Sequence, residues 1–161
     1  MDDSKLILEN QICFPIYSAS RLITKVYKPF LDELGLTYTQ YLVLIVLWET
    51  DEISVNTISE KLMLNSNTLS PLLQRMEKME LLKRTRSNKD ERNVIVELTE
   101  KGKQLKAEAR SIPEKLLEIL LNENINLTDV MKIKNVINEW IEILSERTRN
   151  TDVIQSGDWY K

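Results

Sequence analysis

The chemistry available to this chain begins at Cys13, its single cysteine; the sequence contains no histidine. As a thiolate, a cysteine is a nucleophile that can be oxidised stepwise. Tyr17 follows at i+4, so thiol and phenol are neighbours on one helix face. Tyr27 lies 14 residues beyond Cys13. At about 100° per residue it returns to nearly the same face, yet roughly 21 Å away along the axis. In one straight helix these two cannot touch. Across an antiparallel pair of such helices from two subunits they can, which permits a thiol ringed by phenols from both. A helix N-terminus and phenol hydrogen bonds both favour the thiolate. A lone cysteine on an apolar helix is also commonly an inert small hydrophobe, and these residues alone leave both readings open.

The same composition closes other routes. One cysteine and no histidine exclude an intrachain disulfide, a Cys/His zinc site and imidazole catalysis. No metal or cofactor is expected. Hydrophobic content of 42% and charged content of 29% over 161 residues fit one globular helical unit, 1–161. No apolar run approaches the roughly 20 residues needed to span a membrane. The start, MDDSKLILEN, lacks a signal-peptide pattern, so a cytoplasmic protein without membrane partners is expected.

A second chemistry lies in the charge distribution. The formal net charge is −3, but Ser66 to Arg92 carries seven basic and four acidic residues, 7 − 4 = +3, leaving −3 − 3 = −6 elsewhere. A basic module on an acidic body suits docking on nucleic acid. The elements around it agree. Ser54 to Leu62 has one apolar stripe, Val55, Ile58 and Leu62. Met63 to Asn67 is a polar joint. Thr68 to Leu82 carries Leu69, Leu72, Leu73 and Met76 at i, i+3, i+4, i+7. Its other face offers Ser66, Asn67, Thr68, Ser70, Gln74 and Arg75, side chains suited to base edges and phosphates. Pro71 is expected in the first turn, placing the helix start near Asn67 to Ser70. Leu81 to Thr85 and Val94 to Leu98 read as strands around a basic tip, Arg86 to Arg92. Together, 54–102 reads as a winged helix-turn-helix.

The remaining elements must hold these two chemistries in place. Met1 to Phe30 reads mainly as helix, starting close to Pro15 or bent there, with Pro29 expected to kink or end it and Gly35 to stop it. Thr37 and Gln40 form a capping box for a helix to Thr50, and Tyr41 to Glu49 is apolar on nearly every face, a central helix. Thr99 caps a helix to Leu121 that Pro113 should kink. Leu127 to Arg147 is the last helix, capped by Thr128, before a polar tail, 150–161, expected to be mobile. Helices 6–34 and 110–148 carry more apolar surface than one winged helix can cover, so they are expected to build a two-fold homodimer. The fold class is thus mainly α with a small β-wing, a winged helix-turn-helix paired through its N- and C-terminal helices.

From Leu8 to about Leu144 the chain resembles the MarR family of transcriptional regulators, and within it the OhrR-like, one-cysteine organic-hydroperoxide sensors. The resemblance rests on Asn10 to Glu49, on LSPLLQRMEK (Leu69 to Lys78) and on RSNKDERNVIVELTEKG (Arg86 to Gly102). It implies that Cys13 is the oxidised cysteine and that Tyr17, Tyr27 and Tyr38 hold its thiolate, Tyr27 from across the dimer. It implies that Arg86, Lys89, Asp90 and Arg92 belong to the wing, Asp90 and Arg92 being the residues that orient it and insert into the minor groove. With no resolving cysteine, a sulfenate on Cys13 must be trapped by a small thiol or oxidised further. The recognition helix departs from the usual LDSGTL, reading LNSNTL (Leu64 to Leu69). The implied protein is no enzyme but a repressor that binds a pseudo-palindromic double-stranded operator and releases it when an organic hydroperoxide oxidises Cys13. A regulator of this type answering a small phenolic ligand, or a redox-responsive virulence regulator, is the alternative. A thiol peroxidase or a helical module without DNA binding ranks lower.

Overall fold

The computed structural model describes residues 3–86 and 93–149. Two short 3-10 turns, Asp3–Leu6 and Leu8–Asn10, precede α1 (Cys13–Glu33). Then come α2 (Tyr38–Glu49), β1 (Ile53–Ser54), α3 (Val55–Leu62) and α4 (Ser66–Lys78). β2 (Leu82–Arg86), β3 (Val94–Leu98), α5 (Glu100–Ala109), α6 (Ile112–Leu120) and α7 (Leu127–Arg149) follow. The strands form one antiparallel sheet in the order β1-β3-β2. The chain is therefore mainly helical with a small β-wing. Its residues divide into two compact units, Met1–Leu116 and Leu117–Lys161. Among the described residues no single helix is long and apolar enough to cross a membrane.

The core of the first unit gathers around α2. Its capping box is complete: Thr37 accepts from the Gln40 amide, and Gln40 accepts from the Thr37 amide at 2.8 Å. The Gln40 side chain then donates to the Met79 sulfur, so this buried amide is satisfied at both ends. Val43, Leu44, Val46 and Leu47 are all buried, as a helix apolar on every side requires. Against it pack Ile58 of α3, Leu69, Leu73 and Met76 of α4, and Val96 of β3.

Three helix ends repeat one closure. At the end of α1 the Leu36 amide returns to the Leu31 carbonyl (2.9 Å) and the Gly35 amide to Asp32, with Gly35 at φ 66. Met63 and Glu80 take the same place after α3 and α4, at φ 54 and φ 60. For a residue with a Cβ, that left-handed conformation costs about 1 kcal/mol, offset here by the carbonyls it satisfies.

Several local expectations are corrected. Pro29 does not end α1, which runs on to Glu33; Pro29 and Lys25, whose carbonyl loses its partner, are both exposed. α4 starts at Ser66, capped by Asn65, so exposed Pro71 sits at its sixth position rather than in its first turn. β2 begins at Leu82, since the Leu81 amide is spent on the Met76 carbonyl that closes α4. Pro113 does not kink one helix but separates two, taking the second position of α6 where no amide hydrogen is needed. Asn126, not Thr128, caps α7: its side chain accepts from the Asp129 amide while Asp129 accepts from the Asn126 amide, both at 3.2 Å. β1 was not anticipated. It is two residues long and exists only through pairing with distant Val96 and Ile95.

One backbone carbonyl joins the end of the ribbon to the start of α5. Leu81 O accepts the Thr99 amide (3.1 Å), and Thr99 in turn caps α5 by accepting from Gly102 N at 3.1 Å. The Thr99 hydroxyl donates to Glu80 O. Gly102 passes so close that a Cβ there would lie 2.1 Å from Leu81 O. The Gly102 carbonyl accepts from the Trp48 indole at 2.9 Å, tying this junction to α2. Gly102→Ala should therefore force the junction apart, lowering stability by about 1–3 kcal/mol. Urea titration of the two proteins checks this, and equal midpoints would refute the junction's role.

Candidate functional site

α4 turns its apolar stripe (Leu69, Leu72, Leu73, Met76) inward and leaves Ser66, Asn67, Thr68, Gln74 and Arg75 exposed, with Ser70 half-buried. The cap uses part of that polar face. Asn65 Oδ1 accepts both the Thr68 amide and the Thr68 hydroxyl at 2.9 Å, so the Thr68 hydroxyl proton is already engaged. Ser66 and Ser70 border a small cleft shared with Asn56 of α3 and Arg84 of β2.

β2 and β3 pair from Leu82–Leu98 to Arg86–Val94. Arg86 is exposed where the ribbon leaves the described residues, and Lys89, Asp90 and Arg92 lie outside them. Arg84 has a local task. Its guanidinium places Nε (3.0 Å) and Nη2 (2.6 Å) on Glu77 Oε2, and its backbone amide donates to Glu77 Oε1. One charge of the basic segment is thus spent fastening the ribbon to α4. The same hydrogen bonds hold the Glu77 carboxyl below the usual carboxylate range.

The four residues proposed for thiol chemistry fall into two places. Cys13 is exposed at the first position of α1. Tyr17, one turn on, is also exposed, and its hydroxyl accepts from Arg21 Nη1 at 2.7 Å with the guanidinium 5.5 Å from the ring centre. Because α1 is unbroken, Tyr27 stands roughly 21 Å further along it. There Tyr27 packs on Tyr38 of α2, ring centres 5.0 Å apart, and on Tyr41 at 5.8 Å. Tyr41 meets Trp48 edge-on at 6.2 Å. Thiol and Tyr17 form one group, Tyr27 and Tyr38 another, and this chain does not bring the two together. Tyr41 and Trp48 were not singled out from the sequence, although Tyr38, Tyr41 and Trp48 share one stripe of α2.

Residues 25–109 match the family model described as transcriptional regulator SarA/Rot. The organic hydroperoxide resistance transcriptional regulator of Bacillus subtilis is 43% identical over 140 residues, covering 87% of this chain and 93% of that protein. The chain belongs to the MarR family of transcriptional regulators. Among solved structures, reduced AbfR bound to DNA superimposes with a TM-score of 0.74 at 35% identity, covering 92% of this chain and 99% of that one. Overoxidized AbfR bound to DNA gives 0.70 at 36% identity, covering 91% and 98%. AbfR is a protein of Staphylococcus epidermidis.

In this MarR-family chain the asparagine that departs from the usual aspartate of the helix start keeps the capping function, since Asn65 serves as N-cap. The aromatic rack has its own titration. Tyr27 is pushed up from 10.0 to about 12, by burial first and then by repulsion from Tyr38 and Tyr41. Tyr38 and Tyr41 are raised too, again by burial first. A folded pKa above the unfolded one means the protonated phenol is the favoured folded form. Its stability is fully present below pH 10.0 and is lost as pH rises through about 12. Tyr27→Phe should flatten the loss of stability between those two values. Denaturant titrations at matched pH test it, and parallel pH profiles for both proteins would contradict it. At the acid end the sign is reversed. The Glu77 contribution is present at neutral pH and is lost as pH falls through its lowered value, so Glu77→Gln should weaken the fold at pH 7 by up to about 1 kcal/mol and less in acid.

Proposed function

We propose that this protein is a DNA-binding repressor that senses organic hydroperoxides or related oxidants through Cys13 and releases its operator on oxidation. The observation that carries the reading is the placement of a single exposed thiol at the head of α1, on a winged helix-turn-helix body whose half-buried tyrosine pair lies toward the far end of that helix. The B. subtilis relative is named for organic hydroperoxide resistance, and AbfR has been seen on DNA both reduced and overoxidized.

In the proposed working form two copies pair through α1 and the C-terminal helices; the tail, 150–161, lies outside the described residues. Exposed apolar side chains on both, from Ile12, Ile16 and Leu22 to Ile133, Trp140 and Leu144, supply the surface. Antiparallel pairing of α1 brings Cys13 of one copy to Tyr27 and Tyr38 of the other, with Tyr17 beside it. The thiolate attacks a peroxide oxygen; the O–O bond breaks, leaving a sulfenic acid and an alkoxide that takes a proton and departs as the alcohol. A small thiol condenses with the sulfenic acid and water leaves, giving a mixed disulfide. A few kcal/mol of preference for another dimer geometry is enough to shift the operator equilibrium. On DNA, α4 presents Ser66, Asn67, Thr68, Ser70, Gln74 and Arg75 to the major groove, and Arg86, Lys89, Asp90 and Arg92 form the wing. Two-fold pairing matches a pseudo-palindromic operator.

Adding cumene hydroperoxide and a small thiol should lower operator affinity of the parent at least about tenfold, a shift near 1.4 kcal/mol. Cys13→Ser should hold its DNA under the same treatment; equal release from both proteins would end the sensor reading. On the DNA side, Gln74→Ala should cost about 1–3 kcal/mol on the operator with little change on random duplex. Arg86→Ala should reduce the salt slope of binding by about one. A uniform loss at Gln74 across sequences would remove it from base readout.

A further inference from the structure

Beside the tyrosine rack lies an open groove of about 860 Å³. Its floor is the α2 stripe Tyr41, Ile45 and Trp48, and Pro113 closes one side. Lys106 and Arg110 stand on its rim. Ile45 is 40% exposed between buried Leu44 and Val46, so the floor includes uncovered apolar surface. Elsewhere the chain carries a segment with the opposite need. The arm before α1 is folded, its turns held by Asn10 donating to Ser4 O at 2.7 Å and by Gln11 donating to Lys5 O. Yet it covers nothing: Leu6 is 83% exposed, and Ile7, Leu8 and Ile12 are all open. It also carries Asp3 and Glu9.

We infer that this groove is the seat of the N-terminal arm, residues 3–12, of a second copy of the chain. As folded here, the arm does not lie in the groove of its own chain. α1 is continuous from Cys13 to Tyr27, and Tyr27 packs against Tyr41 at the groove's edge, so the root of the arm is held roughly 21 Å away. A partner's arm has no such restraint. In the pairing proposed above, on which this inference rests, the partner's Cys13 meets Tyr27 and Tyr38. Tyr38, Tyr41, Ile45 and Trp48 follow at i, i+3, i+7 and i+10, one face of α2, so the groove opens directly beside the point where the partner's α1 begins. The net charges are of opposite sign as well: an arm with Asp3, Glu9 and Lys5 meets a lining with Lys103, Lys106, Arg110 and Glu49. Each copy would then cover the other's rack with its own Leu6, Ile7 and Leu8, and the space beside the thiol site is filled by protein.

The test is an engineered crosslink in a Cys13→Ser background. Leu8→Cys combined with Ile45→Cys should give a covalent dimer on non-reducing gels after mild oxidation, because a disulfide forms only when Cα atoms come within about 7 Å. Neither single substitution should do so. Adding Arg110→Glu should slow crosslinking about threefold or more at low salt. A protein that is dimeric by light scattering but does not crosslink overturns the inference while leaving the pairing intact. Crosslinking by Leu8→Cys alone also overturns it, because the arms would then meet each other instead of the groove. A protein that is monomeric by light scattering defeats the pairing itself.

Discussion

Most of the first unit depends on how closely α5 can approach one carbonyl, that of Leu81. The carbonyl closes the ribbon onto Thr99, and Gly102 lies against it with no room for a side chain. Because Thr99 also caps α5 and Gly102 receives the Trp48 indole, the orientation of the ribbon, the start of α5 and the face of α2 are set at one place. Close packing of backbone on backbone has few ways to relax. The LTEKG run is thus explained by geometry: a hydroxyl to cap, then a residue without a Cβ three positions on.

The polar groups near that junction follow the same economy. Gln40, the buried polar residue among the core, is bonded to Thr37 and Met79, and no described buried side-chain nitrogen or oxygen lacks a partner. Arg84 and Glu77 tie ribbon to helix by three hydrogen bonds. Cations in a basic segment therefore divide into those that build the module and those that remain for a partner, and charge counting cannot separate them.

Much of the fold was legible from sequence because its signals are local. The Thr37–Gln40 box, the stripes of α3 and α4, the Thr99 cap and the Gly35 stop all act within one or two turns, and each stands where expected. What was missed depends on distant partners or on solvent. β1 exists only through β3; Pro29 and Pro71 are harmless inside helices because the carbonyls they orphan face water. At the candidate site, the spacing of Cys13, Tyr17 and Tyr27 already required two places on one helix. Tyr41 was hidden inside a run apolar on every face, where periodicity carries no direction. The engagement of Tyr17 by Arg21 was readable as an i+4 pair and was passed over.

The passage of α1 through Pro29 without a break puts the thiol and Tyr27 on one continuous helix. One helix therefore carries Cys13 at its head and Tyr27 further along, and that second point is packed into α2 through Tyr27 and its two neighbouring rings. The ribbon junction lies at the other end of α2, where the Trp48 indole donates to Gly102.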